Sequence, residues 1–165
     1  MRKYLIWAVL PLFIACQSTV TNEDQSISFK VEGDMLFEGP NTLQGEASVD
    51  LMSLSENLGC SVEDIKSIKV SKAKIGMVAA QQSITESVLL QVVSNNNDLT
   101  TVGTLNPVPA EGVLNLSMAQ NIDLLPYLQD EGMVWVLDLN LKEDHMDAMQ
   151  AKGEVSLIIE HVESK

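Results

Sequence analysis

The residues able to do chemistry in this chain are few, and their spacing says more than their number. Two histidines, His145 and His161, and two cysteines, Cys16 and Cys60, are its whole supply of imidazole and thiol. His145 lies in the run Glu143-Asp144-His145-Met146-Asp147. These carboxylates and the imidazole could hold a divalent cation, but adjacent positions on a loop point in different directions. The spacing matches neither a zinc site nor an EF-hand loop, so the run reads as a solvated acidic turn between the last two strands. His161 continues the apolar face of the final strand and reads as a cap on the core edge. Cys60 follows Leu58-Gly59, with no His, Arg or Lys within five residues. A reactive thiolate needs a cationic neighbourhood, so Cys60 is expected to be a buried free thiol. The chain has no G-x-S-x-G, no glycine-rich phosphate loop and no H-E-x-x-H. Carboxylate pairs such as Glu63-Asp64 and Asp130-Glu131 carry no signal among 23 acidic residues. The expectation is a non-enzymatic protein with no catalytic residue, no cofactor and no metal site.

Cys16 is different, because its context is informative. Arg2 and Lys3 precede an uncharged, mostly apolar run from Tyr4 to Ala15. Such a run has the length of a secretory signal and is shorter than the roughly 20 residues a membrane-spanning helix needs. It ends Phe13-Ile14-Ala15-Cys16, which resembles the lipobox of bacterial lipoproteins. Phe13 stands where that pattern usually has Leu. The resemblance covers residues 1–16. It implies removal of residues 1–15, a diacylglyceryl thioether on Cys16, and acylation of the new amine. Two or three acyl chains would make anchoring effectively permanent, since each buried methylene contributes about 0.8 kcal/mol. Gln17 stands where an Asp would signal inner-membrane retention, so the resemblance points to the outer membrane. Residues 16–26 are expected to form a lipidated flexible tether, because 17–26 are polar and without periodicity.

Composition narrows the partners. The chain of 165 residues has 10 basic and 23 acidic side chains, a net charge of −13. Loss of Arg2 and Lys3 would leave 8 basic residues and a charge of −15. That balance argues against nucleic acid and anionic headgroups. With Cys16 consumed by lipid, Cys60 has no partner for a disulfide within the chain.

The elements that must position these residues are strands. Ile27, Phe29 and Val31 alternate with polar residues. So do Leu43, Gly45, Ala47, Val49 and Leu51, and so do Val155, Leu157 and Ile159. Met133, Trp135, Leu137, Leu139 and Leu141 form the longest such stripe. Period two means strands with one buried face. In 66–78 the phase changes near Ser71-Lys72, which a β-bulge would explain. Residues 84–94 and 99–105 flank Asn95-Asn96-Asn97-Asp98 and predict a hairpin, and Val113–Met118 reads as a short strand. Helical signals are confined to Ser61–Asp64, a capping pattern, and to Asn121–Gln129, where Pro126 limits the length.

About eight strands with one or two short helical turns predict an all-β fold for residues 27–165. The first expectation is a two-sheet antiparallel sandwich of immunoglobulin-like kind, and the second is a closed lipocalin-like barrel. The arrangement also resembles small immunoglobulin-like lipoproteins of Bacteroidota. Trp135 is expected in the core rather than as a ligand platform. Met35-Leu36-Phe37, between Gly33 and Gly39, either continues the first strand into the core or forms an exposed contact. The function expected is a lipid-anchored cell-envelope protein with a structural or interaction role. Its partners would be the membrane, through Cys16, and an envelope protein. A binding module for a lipid or glycan is the alternative.

Overall fold

The computed structural model describes residues 20–46, 49–120 and 122–162. Cys16, the signal segment and the first part of the tether lie outside them. Nine antiparallel strands form one sheet: β1 (Val20–Gly33), β2 (Gly39–Glu46), β3 (Ile65–Gly76), β4 (Thr85–Val93), β5 (Thr100–Leu105), β6 (Leu114–Asn115), β7 (Ser117–Met118), β8 (Val134–Leu141) and β9 (Met149–Val162). Their order is β6-β3-β9-β1-β2-β8-β4-β5-β7. The short helices are α1 (Leu51–Leu58), α2 (Ala79–Ile84) and α3 (Leu125–Gln129), with a 3-10 turn at Val62–Asp64.

The sheet nearly closes on itself. Its two edges, β6 and β7, are consecutive in sequence. Leu114 and Asn115 pair with Ile75 and Lys74, whereas Ser117 and Met118 pair with Thr104 and Gly103. The Leu116 N–H donates to the Ala73 carbonyl and the Ala119 N–H to the Val102 carbonyl, each at 3.0 Å. One extended segment thus offers opposite backbone edges to β3 and β5, with Leu114 and Leu116 buried beneath it. On the other side β1 meets β2 at a single registered pair, Glu32 with Gln44. Where the sequence suggested two separate sheets, the strands are therefore joined into one.

The alternating stripes line the interior. Leu43, Leu137 and Leu90 stand in one row across β2, β8 and β4, and all three are fully buried. Ile159 and Ile68 stand opposite each other on β9 and β3, as do Val155 and Ala73. The phase change in β3 is a register shift between Val70 and Lys72 against β9. Trp135 and Phe29 stack in the interior with centroids 4.4 Å apart and planes 11° from parallel. Two glycines lie beside that stack: Gly153 leaves room for the Phe29 ring, and Gly45 lets the β1 backbone approach. Gly45 stands opposite Trp135 and Gly153 opposite Phe29. A Cβ on Gly153 would collide with the Phe29 ring, and one on Gly45 would collide with the Lys30 carbonyl where β1 and β2 cross closely.

Three local expectations are corrected. Residues 20–26 are not a tether: they are the first half of β1, paired with β9 from Val20–Val162 to Ser26–Ser156. Their polarity reflects positions at the sheet's end that are only half-buried or exposed. Val49 and Leu51 do not extend β2. The Asp50 carboxylate caps α1 by accepting from the Ser53 N–H at 2.7 Å, and Gly59 ends it at φ +65. Leu51 and Leu54 are buried on one side of this helix, with Leu58 packed against the same core. The third correction is α2, absent from the sequence reading.

Candidate functional site

The expected chemical residues are dispersed. His145 sits between β8 and β9. Its N–H donates to the Leu36 carbonyl at 2.8 Å and its carbonyl accepts from the Leu36 N–H at 3.0 Å. Asp144 Oδ1 accepts from the Glu38 N–H at 2.8 Å. Those contacts lace the turn to the β1–β2 loop, and no three His, Cys, Asp or Glu side chains among the described residues are placed to hold a metal ion. His161 is buried on β9, its Nε2 3.5 Å from the Glu23 carboxylate. Cys60 is half-buried rather than buried. Burial, then the Asp64 and Glu23 carboxylates, push its thiol above the ordinary value. A thiol so placed is a poor nucleophile at neutral pH. Trp135 is wholly buried and belongs to the core.

Two surface features remain. The first is the tip formed by the β1–β2 and β8–β9 loops. Leu36 turns inward and is buried, but Met35, Phe37 and Met146 are 66%, 59% and 55% exposed. Both readings of Met35-Leu36-Phe37 are thus realised, by different residues. Met35 is the one non-glycine residue at positive φ among the described residues, at +51. For an unbranched apolar side chain that conformation is uncommon and costs energy. The loop is held firmly: the Phe37 N–H donates to Asn41 Oδ1 at 3.0 Å, and Asn41 Nδ2 donates back to the Phe37 carbonyl at 2.6 Å. Exposed Asp34, Glu38, Glu143, Asp144 and Asp147 lie in the same two loops, giving the apolar knobs an anionic rim.

The second feature is a basic face that the sequence reading missed. The described residues include seven lysines and no arginine. Six of the seven, Lys30, Lys66, Lys69, Lys72, Lys74 and Lys152, lie on β1, β3 and β9, pointing away from the core. The signal was present in the segment KSIKVSKAKIG, whose lysines fall on the polar phase of a bulged strand. An open cleft of about 630 Å³ on this face is lined by Ser28, Lys30, Lys74, Val113, Lys152 and Glu154, with Gly76 among them. A second cleft of about 520 Å³ lies along the same three strands, lined by Asp24, Ser26, Lys72 and Ser156 among others.

No helix among the described residues is long and apolar enough to cross a membrane. No family model matches the chain, and no curated protein matches it. Among solved structures, a chain of Desmodium yellow mottle tymovirus is 12% identical over 98% of this chain and 98% of its own, at a TM-score of 0.34. A chain from the empty head of turnip yellow mosaic virus is 8% identical over 100% of this chain and 93% of its own, at 0.33. At these TM-scores neither likeness bears on what this chain does.

Proposed function

We propose that the chain is a lipid-anchored cell-envelope protein, most simply of the outer membrane, that acts without catalysis by presenting its tip to another envelope protein. The observation that carries this reading is the exposed trio Met35, Phe37 and Met146, held on a strained, hydrogen-bonded loop. Large apolar side chains cost solubility when exposed together and mark contact surfaces. The anionic rim fits a partner whose apolar pocket has a basic border. Position supports the reading as well. Val20, where β1 starts, lies four residues beyond Cys16, and the tip follows the other end of the same strand. Fourteen residues at about 3.3 Å each span about 45 Å. A lipid on Cys16 would therefore hold the tip well away from the bilayer.

The same reading takes the sheet as flattened into two layers, β6-β3-β9-β1 against β2-β8-β4-β5-β7, in the manner of an immunoglobulin-like sandwich. The lone β1–β2 pair supports that flattening. The close-packed interior, with Trp135 stacked on Phe29, speaks against carriage of a lipid between the layers.

Crosslinking in the native envelope tests the proposal. The Met35→Ser/Phe37→Ser double variant should keep its melting temperature and lose the partner crosslinks of the wild type. Crosslinks unchanged in the variant would remove the tip from the account.

A further inference from the structure

The basic face has a property that a merely solvated surface does not need. Lys30 on β1 stands directly opposite Lys152 on β9, and like charges directly opposite each other destabilise a sheet. Lys74 stands opposite Glu154 on the neighbouring row. Two of these three ammonium groups are compensated, Lys30 by Glu32 at 3.0 Å and Lys74 by Glu154 at 3.6 Å. The Lys152 ammonium has no hydrogen-bond or ion-pair partner among the described residues. On its other side β3 offers Gly76, which has no side chain, so space opens beside the uncompensated charge. Exposed Val113 stands at the cleft with it. A further cleft of about 350 Å³ shares Gly76 and Lys152 and runs on past Met77, Val78 and Gln150.

We infer that this cleft binds a phosphomonoester, with the phosphate seated at Lys152 between Lys30 and Lys74. Charge selects the ligand class. The cleft is lined by three lysines and Glu154; with Glu32 beside Lys30 counted as well, one positive charge, that of Lys152, is left over on a chain whose net charge is −13. A phosphate monoester carries about −1.5 to −2 at neutral pH, and lysine binds phosphate as a mobile point charge. The adjoining cleft, with Met77 and Val78, gives room for the organic part of the molecule. Anion binding also accounts for a Lys–Lys pair that costs the apo fold stability: the ligand supplies the missing counter-charge. The inference uses neither Cys16 nor the tip, and it stands or falls apart from them.

Calorimetric titration of the purified full chain with glucose 6-phosphate, inorganic phosphate and glucose tests it. Glucose 6-phosphate should bind saturably, weaken as salt is raised, and lose at least tenfold in affinity in Lys152→Gln, while glucose should not bind. Weaker binding of inorganic phosphate than of the ester assigns the site to the monoester. Equal or tighter binding of inorganic phosphate would overturn that assignment in favour of the free ion. The melting temperature of unliganded Lys152→Gln should equal or exceed that of the wild type, because a repulsion is removed; a lower one would mark Lys152 as a structural residue instead. No saturable binding by either phosphate, or equal binding in Lys152→Gln, would overturn the site.

Discussion

Replacing Trp135 with Ala tests the core of the account most severely. The side chain is fully buried on β8 and stacked on Phe29 at 4.4 Å. Truncating a buried Trp to Ala costs about 3–5 kcal/mol. Within that loss, the aromatic pair contributes about 0.5–1.5 kcal/mol beyond area burial. For a domain of this size 1 kcal/mol corresponds to about 2–4 °C, so the melting temperature should fall by about 6–20 °C. The total stability of a domain is about 5–15 kcal/mol, and a marginal one would not fold at all. Trp135→Phe should be much milder. The indole Nε1 is buried without a hydrogen-bond partner, and removing an unsatisfied buried donor recovers about 1–3 kcal/mol, which offsets much of the lost volume. Urea denaturation of the three proteins, followed by far-UV circular dichroism, measures both differences. An unchanged midpoint in Trp135→Ala, or equal losses in the two variants, would refute the packing argument.

The Gly153 position gives a second test: Gly153→Ala must displace the Phe29 ring and should cost about 1–3 kcal/mol, much of it recovered by adding Phe29→Leu, as a double-mutant cycle would show. Cys60 should react with a thiol reagent more slowly in the native protein than after unfolding, because burial and then Asp64 and Glu23 hold the thiol protonated; Glu23→Gln should speed the reaction, and fast native labelling would contradict this. A hydrogen bond from the Ser53 N–H lowers the Asp50 pKa, and one from the Asn96 N–H lowers that of Asp130. Both carboxylates therefore stabilise the fold above the ordinary range near pH 4, and that contribution is lost as pH falls through their lowered folded-state values. Asp50→Ala/Asp130→Ala should show a shallower loss of stability between about pH 4 and pH 2 than the wild type, measured by denaturation at each pH, and an unchanged slope would count against the two hydrogen bonds.

The parts of this fold legible in the sequence are those where one face is wholly buried. Leu137, Leu139 and Leu141 on β8, and Val155, Leu157 and Ile159 on β9, alternate because Asp138, Asn140, Ser156 and Ile158 between them meet water, whereas Val136 beside Trp135 is buried as well. The bulge at Val70–Lys72 showed as a slip in the same alternation. Residues 20–26 hid a strand, since a polar strand pairing through its backbone has the composition of a linker. Leu51, Leu54 and Leu58 have helical spacing, with Asp50 before them and Gly59 after. Yet Val49 and Leu51 also continue the period of two from β2, and α1 went unread. Closure of the sheet depends on residues 114–119 bonding to β3 on one edge and β5 on the other, a long-range pairing that no local pattern encodes. Of the surface features, Met35-Leu36-Phe37 was conspicuous by hydrophobicity. That Lys30, Lys74 and Lys152 line one cleft needed the strand order, which brings β1 and β3 to either side of β9.

The proposed function rests on the anchor at Cys16, because the anchor decides which end of β1 faces the bilayer. The most direct measurement is metabolic labelling with palmitate followed by membrane fractionation of the wild type and Cys16→Ser. Label should enter the wild type, which should sediment with membranes, whereas Cys16→Ser should carry no label and should not sediment with them; Cys60→Ser should behave as the wild type does. Absence of label from the wild type, or Cys16→Ser remaining with the membranes, would contradict the account.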